Sequence, residues 1–595
     1  MFLAVTPLRE FWDRSEEMLF PGPWCVPYGY DLDAADIRHR FLPDPFQDIE
    51  VFRAANTYCQ EVSDRFLSIL TNHLNKVHGT AHDPRYWRIL LDPWLTFHVE
   101  QMYDHLVHVE AAFRIDAALK TIRLDPSSYE TPRDTADFVR LKLGDRFHLQ
   151  LFSHIIASLK PGSPTRALRP PPAPPAISGP RAFVKRLAAS GLGALTRIGA
   201  GQVLLCQLET KRAESRRLVL GSKLKALPYF ADLPASARPA PVFDSRRLGL
   251  KDLPARDEFE RIFVAALPWQ LPTILLEGYS EAARATRSLI PRAPKIFFSA
   301  VGWHYVDSAK FAAADCSARG SRLWGFQHGG MYGLAEYAPA ERIERSECDR
   351  YHAWGWSKTD PDPRLRDLPA PILSRGGARA PGKDLLFVST ILDLHNIRLI
   401  RDSNGAGAFA CIDRQARLLR SLDEPARGNA ISRIYAHDFG WRQRDRLKDL
   451  VPGIRFDDAG RPFSQRLREA RIVVLDCPST PLLEVLAADA PCIMTWAPDA
   501  WTFRPSARPY FESFKTAGML FDSPEDAAAQ ATLAYQDPDR WWNAPARRTA
   551  TREFTRTFAL SDSNWPDAWL SAIRNGLDEI RAEDRRPLAA PARPG

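Results

Sequence analysis

Nothing in this 595-residue chain has the spacing of a metal or disulfide framework. The eight cysteines (Cys25, Cys59, Cys206, Cys316, Cys348, Cys411, Cys477 and Cys492) are scattered, and none forms a Cys-x-x-Cys pair. That pattern excludes a zinc ribbon and points to free thiols in a reducing compartment. No uncharged apolar run approaches the roughly 18–20 residues that span a bilayer. The opening MFLAVTPLREFWD lacks a basic start, a long apolar core and a small-residue cleavage site. A cytoplasmic protein is therefore expected, one able to sit peripherally at the inner membrane. Also missing are a GxxxxGKS/T phosphate loop, a GxGxxG opening the second half, a GxSxG elbow and an HExxH zinc motif. No aspartate pair follows an apolar strand as a catalytic metal would require.

What is present is ordinary in bulk and particular in a few places. The chain is 45% hydrophobic and 26% charged, the composition of a globular protein. Its length predicts two or three domains. Eighty Lys and Arg against 72 Asp and Glu give a net charge of +8. The basic residues are interspersed with acids and no nucleic-acid signature occurs, so the excess suits solubility, an anionic substrate or an anionic lipid surface.

Along the chain, 2–8 and 17–25 read as short buried strands, and 48–76 as a helix with apolar residues three and four apart. Residues 83–113 are aromatic-rich and helical beyond Pro93. They carry His98, His105 and His108, which read as core-edge or partly exposed histidines rather than a metal cluster. The acids of GYDLDAAD (29–36) read as solvated turn residues. A proline-rich loop spans 161–181, a helical or mixed segment 183–230, and a loop 233–255. From about 258 strands and helices alternate: strand 295–303, helix 308–319, strand 322–326, strand 348–357, then a Pro-, Gly- and Arg-rich linker, 360–383. A second alternating unit follows, with strands 384–390, 430–436, 471–477 and 490–496 and helices near 408–422, 463–470, 481–489 and 523–536. Such alternation predicts parallel sheets covered by helices. The expected domains are a first lobe, 1–375, a second lobe, 383–560, a helix 561–582 that packs back on the first lobe, and a disordered tail, 583–595.

Two motifs carry chemistry. Gln327-His328-Gly329-Gly330 followed by Tyr332 stands at the end of a strand. Paired glycines let backbone approach a ligand, and histidine titrates near neutrality. His328 is read as a general acid or base, or as the structural histidine of a tight turn, with Gln327, Tyr332 and Glu336 as neighbours that orient it or the substrate. Later, His437 ends a strand and Ser479-Thr480 opens a helix. A helix start with two hydroxyls makes an anion site or an ordinary N-cap. Parallel sheets bind ligands beyond their carboxyl ends, where His437 and Ser479-Thr480 would converge. Glu484, one turn further on, is a ribose ligand or a first-turn acid favoured by the helix dipole.

The stretches VTPLREFWD, LFPGPWC, HDPRYWRILLDPWL, FQHGGMYG, DRYHAWGWS, RIYAHDFGW and VVLDCPSTPLLEVLAADAPCIMTW resemble the LIC-type transferase family of bacterial O-antigen and surface-polysaccharide loci. More distantly, the histidine and Ser-Thr motifs are similar to GT-B enzymes that use cytidine nucleotides, among them CMP-Kdo and CMP-sialic acid transferases and CDP-glycerol glycerophosphotransferases. The resemblance implies an α/β, GT-B-like fold of two Rossmann-type lobes, the first with a helical insertion. It implies His328 at the reaction centre and His437, Ser479 and Thr480 at the donor phosphate, with Gln327, Gly329, Gly330, Tyr332 and Glu484 as further binding residues. Asp438 stands where those relatives carry proline after the histidine. The implied activity is transfer of a sugar from a cytidine-linked donor to a surface glycan or lipid-linked acceptor, with no metal, no cofactor and no nucleic-acid partner. A CDP-polyol phosphotransferase and a non-catalytic scaffold of a polysaccharide assembly complex are the alternatives.

Overall fold

The computed structural model describes residues 1–169, 201–375, 377–390, 393–395, 399, 406–457 and 460–585. Most of the proline-rich stretch 161–181, the start of the segment 183–230 and most of the tail lie outside them.

The first 169 residues build a helical block beside a small parallel sheet of strands Phe2–Leu3, Met18–Phe20 and His39–Phe41. Helix Ile49–His78 is started by Asp48, whose carboxylate accepts from the Glu50 N–H at 2.8 Å. It stops at Gly79, which takes the left-handed conformation. Phe52, Ala55, Cys59, Val62, Phe66, Leu70 and Leu74 form its buried stripe. Helix Trp94–Ile115 lies between this helix and helix Asp145–Leu159. His98, His105 and His108 are consequently buried, not at the core edge. Burial pushes the His98 imidazole down to about 3. His105 lies 3.0 Å from Asp104 and 2.8 Å from His148.

A six-stranded parallel sheet follows. Its spatial order is Leu365–Asp367, Arg350–Ala353, Arg322–Phe326, Ile296–Ser299, Val203–Cys206, Ala226–Tyr229. The strand-helix alternation therefore begins near 203, not 258. The first two strands of the sheet, Val203–Cys206 and Ala226–Tyr229, lie in the segment read as helical or mixed. Leu365–Asp367, in the stretch read as linker, is an edge strand of this sheet. The helical block precedes the sheet in the chain.

The second lobe repeats the plan with strands Arg455–Phe456, Ala430–Arg433, Leu385–Val388, Ile472–Leu475, Cys492–Thr495 and Leu520–Phe521, again all parallel. Chain direction across the sheet reverses between Val203–Cys206 and Ile296–Ser299 in the first lobe, and between Leu385–Val388 and Ile472–Leu475 in the second. Both reversals open a crevice at the carboxyl ends of the strands, where such sheets hold ligands. The fold is α/β with two Rossmann-type lobes, as in GT-B enzymes.

Helix Trp565–Asp584 returns to the first sheet. Trp569 is fully buried, lies against Phe298 and Phe326 and donates to the Pro369 carbonyl at 3.0 Å. Gly576 lets Trp324 approach, since a Cβ there would lie 2.3 Å from the indole. The Lys295–Asp584 and Arg322–Glu583 pairs, each 2.8 Å, extend the helix into the stretch expected to be tail. Trp569→Ala should cost about 3–5 kcal/mol of stability, measured by denaturant unfolding.

Candidate active site

His328 leaves the carboxyl end of strand Arg322–Phe326, and its turn is fixed from below. Gln327 is fully buried. Its side-chain oxygen accepts from the Trp354 N–H at 2.9 Å and the Trp356 indole at 2.7 Å, and its amide donates to the Gly329 carbonyl at 2.8 Å. The carboxamide is engaged inside the protein, where Gln327 shapes the turn. Gly329 lies against the Tyr332 ring. Glu336 does not orient His328 either; it accepts from Arg53 at 3.1 Å.

The residue that does face His328 lies on helix Pro339–Glu347. Glu344 is fully buried. Its Oε1 lies 2.8 Å from His328 Nδ1 and 2.6 Å from His304 Nε2, and accepts from the Tyr332 hydroxyl at 3.0 Å. Its Oε2 accepts from the Tyr351 hydroxyl at 2.8 Å. Burial alone would raise this carboxyl, but the two histidines outweigh it and hold it at about 2. Glu344 is thus an anion at neutral pH. With Nδ1 directed to it, His328 presents Nε2 for proton transfer. Tyr332 is buried, with its hydroxyl bonded to Glu344 beside this pair.

The glycine turn meets the second lobe. The Gly330 N–H donates to Thr480 Oγ1 at 3.0 Å, and a Cβ at Gly330 would lie 2.2 Å from the Thr480 nitrogen. Only glycine permits that approach. Thr480 begins helix Thr480–Ala487. Ser479 occupies the N-cap position with no side-chain capping bond. The floor beneath is polar: Asp476 accepts from the Thr390 N–H at 2.9 Å and from Gln415 at 2.7 Å. Burial pushes the Asp476 carboxyl up to about 7, against the pull of those bonds.

His437 is not at a strand end. The strand closes at Arg433, and His437 is exposed in the following loop with its ring against Phe439. The cation at that strand end is Arg433, paired with Asp457 at 2.7 Å. Glu484 faces the interlobe segment around Arg375. Burial pushes its carboxyl up to about 7; Arg375 and Arg433 oppose the rise and Glu209 adds to it.

Glu209, His304, Glu344 and Arg375 complete the site, and none was singled out from sequence. Glu209 follows strand Val203–Cys206 with φ at +56°, a conformation that side chains rarely adopt outside strained functional loops. It is solvent-exposed, yet the surrounding protein raises its carboxyl, with His328 and Arg375 opposing. The overlooked signal for Glu344 is Glu341, Glu344 and Glu347 at steps of three on one short helix. Three acids on one helical face imply either a solvated face or a buried polar function.

Among the described residues, His304, His328 and Glu344 form a group whose ligand atoms all lie within 4.8 Å of one another. Two histidines and a carboxylate can hold iron or zinc. Here Glu344 Oε1 hydrogen-bonds to His304 Nε2 and the Tyr332 hydroxyl and lies 2.8 Å from His328 Nδ1.

The model of the LIC12162 family transferases matches residues 1–573. The chain belongs to that family. Among curated proteins no match is found to this LIC12162-family transferase. Similar solved structures include Acinetobacter baumannii MurG (13% identity, 63% of this chain and 99% of that one, TM-score 0.33). Another is the UDP-GlcNAc 2-epimerase from Neisseria meningitidis bound to UDP-GlcNAc (11%, 63% and 99%, 0.35). A third is WaaG, a glycosyltransferase involved in lipopolysaccharide biosynthesis (13%, 62% and 99%, 0.28). These likenesses are too distant to bear on activity, and the two-lobed fold rests on the sheets themselves.

Glu484 gives this LIC12162-family transferase a pH signature. Its carboxyl titrates near 4.5 when unperturbed and near 7 in the fold. The unfolded chain therefore loses the proton first, and this group's contribution makes stability fall as pH rises from about 4.5 to about 7. Glu484→Gln lacks that fall. Its melting temperature relative to wild type should rise across the same window, and a constant difference would contradict the assignment.

Proposed function

We propose that this transferase is a metal-independent glycosyltransferase acting on a nucleotide-linked sugar. The observation that carries the reading is the junction of the two lobes. A histidine backed by an ionised, fully buried Glu344 stands two residues from the glycine that touches the start of helix Thr480–Ala487. The donor lies over the second lobe with its phosphates at the helix start beside Ser479 and Thr480, where the dipole and backbone N–H groups favour negative charge. His328 Nε2 takes the proton of an acceptor hydroxyl. The hydroxyl oxygen bonds to the anomeric carbon as the carbon–oxygen bond to phosphate breaks, and the nucleotide leaves with the electron pair. Glu344 stabilises the imidazolium that results. The donor is a CMP- or CDP-linked sugar, and the acceptor a surface-polysaccharide, O-antigen or lipid-linked glycan. With a protonated imidazole and a helix start supplying positive charge, no metal or cofactor is needed.

Calorimetric titration with CMP, CDP, UDP and GDP tests the donor, with Ser479→Ala and Thr480→Ala as controls. Cytidine-selective binding lost in both variants is expected. Selective UDP or GDP binding would overturn the cytidine assignment, and no binding by folded protein would favour a scaffold. A phosphodiester product would identify a polyol phosphotransferase instead.

His328→Ala should lower turnover by about 10²–10⁴-fold with nucleotide binding retained. Glu344→Gln should also lower it and change the pH dependence of the remainder, which a purely packing role would leave alone. Activity that survives a chelator is expected; activity restored only by added metal would make His304, His328 and Glu344 a metal site.

A further inference from the structure

At the end of helix Arg212–Gly221 opposite Glu214, which pairs with Arg375, the following turn packs beside the C-terminal helix and leaves a cavity of about 230 Å³ between them. Lys223, Lys225, Arg574 and Arg581 line it, with Asp578 as the one acid. Asp578 pairs with Arg581 at 3.0 Å. Lys223, Lys225 and Arg574 form no ion pair among the described residues. The other acids of this helix end are occupied by cations of the first sheet, Glu579 by Arg350, Glu583 by Arg322 and Asp584 by Lys295. The cavity is therefore electropositive.

The same turn shows two leucines to solvent. Leu220 is 70% exposed and Leu224 48%. Two backbone hydrogen bonds close the turn: the Lys223 N–H donates to the Leu220 carbonyl at 2.9 Å and the Leu224 N–H to the Val219 carbonyl at 3.1 Å. Lys223 and Leu224 both hold positive φ, at +53° and +61°, which costs energy for residues with side chains. The fold thus keeps two strained residues in order to present leucines and lysines together. Folding within the chain gains nothing from exposed leucine, whereas a lipid interface does.

We infer that this turn and cavity form a docking site for an anionic bilayer: headgroup phosphates seat among Lys223, Lys225 and Arg574 while Leu220 and Leu224 enter the acyl boundary. Juxtamembrane Lys and Arg are each attracted to anionic leaflets, in a salt-dependent way. The inference extends the lipid-linked acceptor of the proposed function but does not depend on it, because the surface lies outside the cleft.

Co-sedimentation of the full chain with phosphatidylcholine vesicles, with and without phosphatidylglycerol, tests it. Binding only to phosphatidylglycerol-containing vesicles, weakened by salt, is expected. Lys223→Glu with Lys225→Glu should lower partitioning by roughly tenfold or more. Leu220→Ser with Leu224→Ser should lower it at unchanged charge. Both double variants should keep the wild-type melting temperature and the wild-type nucleotide titration, so a failure of the nucleotide reading stays distinguishable from a failure of this one. Equal binding to both vesicle types, undiminished binding in the variants, or displacement by soluble glycerol phosphate would overturn it, the last by showing a free-phosphate site.

Discussion

A carboxylate sealed from water governs this structure. Burying the Glu344 anion would cost several kcal/mol if nothing compensated it. Compensation comes from His304, His328, Tyr332 and Tyr351, drawn from three separate places in the first lobe. Each of these must therefore be held in place, and the surrounding fold does so. Tyr351 sits on a central strand, Tyr332 packs under the glycine turn, and Gln327 pins that turn to Trp354 and Trp356. The orientation of the one partly accessible member, His328, is a by-product of satisfying the buried charge. Strong compensation also explains why the carboxyl stays ionised despite its burial.

The glycine turn then links this rigid lobe to the other. Gly330 approaches the helix start so closely that the two motifs share one small volume. The second lobe's contribution is of a different kind. Its strand ends hold a network of neutral and near-neutral groups, with Gln415 donating to Asp476 and Gln443 donating to Gln415. A proton donor–acceptor centre on one side thus faces a helix start over a weakly charged floor on the other. An anion arriving there meets dipoles before it meets carboxylates.

Much of this was legible in the sequence because it depends on local pattern. The runs DLLFVST, RIVVLDC and APCIMTW alternate with helices of clear period, so the second lobe could be read almost strand by strand. The turn at His328 was visible because two glycines after a strand have few structural uses. The strands Val203–Cys206 and Ala226–Tyr229 were not visible: they flank a helix in a stretch that reads as helical or mixed, and Pro228 within the second argues against a strand unless it lies at an edge, as it does. His437 was placed at a strand end because AISRIYA is continuous in β propensity, yet pairing stops at Arg433, as its partner strand Leu385–Val388 does. Glu344 could not be found by pattern alone. Its importance comes from four partners on three other elements, 7 to 40 residues away, that converge on it only after the sheet has formed.

The distribution of charge across the cleft follows from the same principle of compensation. Glu209 and Glu484, one from each lobe, are both raised by burial, Glu209 further by Glu344 and Glu484 further by Glu209, while Arg375 opposes both shifts. Arg375 is itself spent on Glu214 and on the Glu209 carbonyl. If both acids were ionised, the cleft mouth would repel phosphate. Burial pushes both carboxyls up, Glu484 to about 7, which lessens the negative charge beside Arg375 and Arg433 while the helix start supplies the local positive end. The first lobe therefore keeps its anion where no ligand can reach it, behind His328, and the acids that a ligand can reach are the ones whose environment favours protonation. That division, an ionised carboxylate in the interior and protonatable ones nearer the surface, is the charge arrangement on which the proposed use of an anionic donor and a hydroxyl acceptor rests.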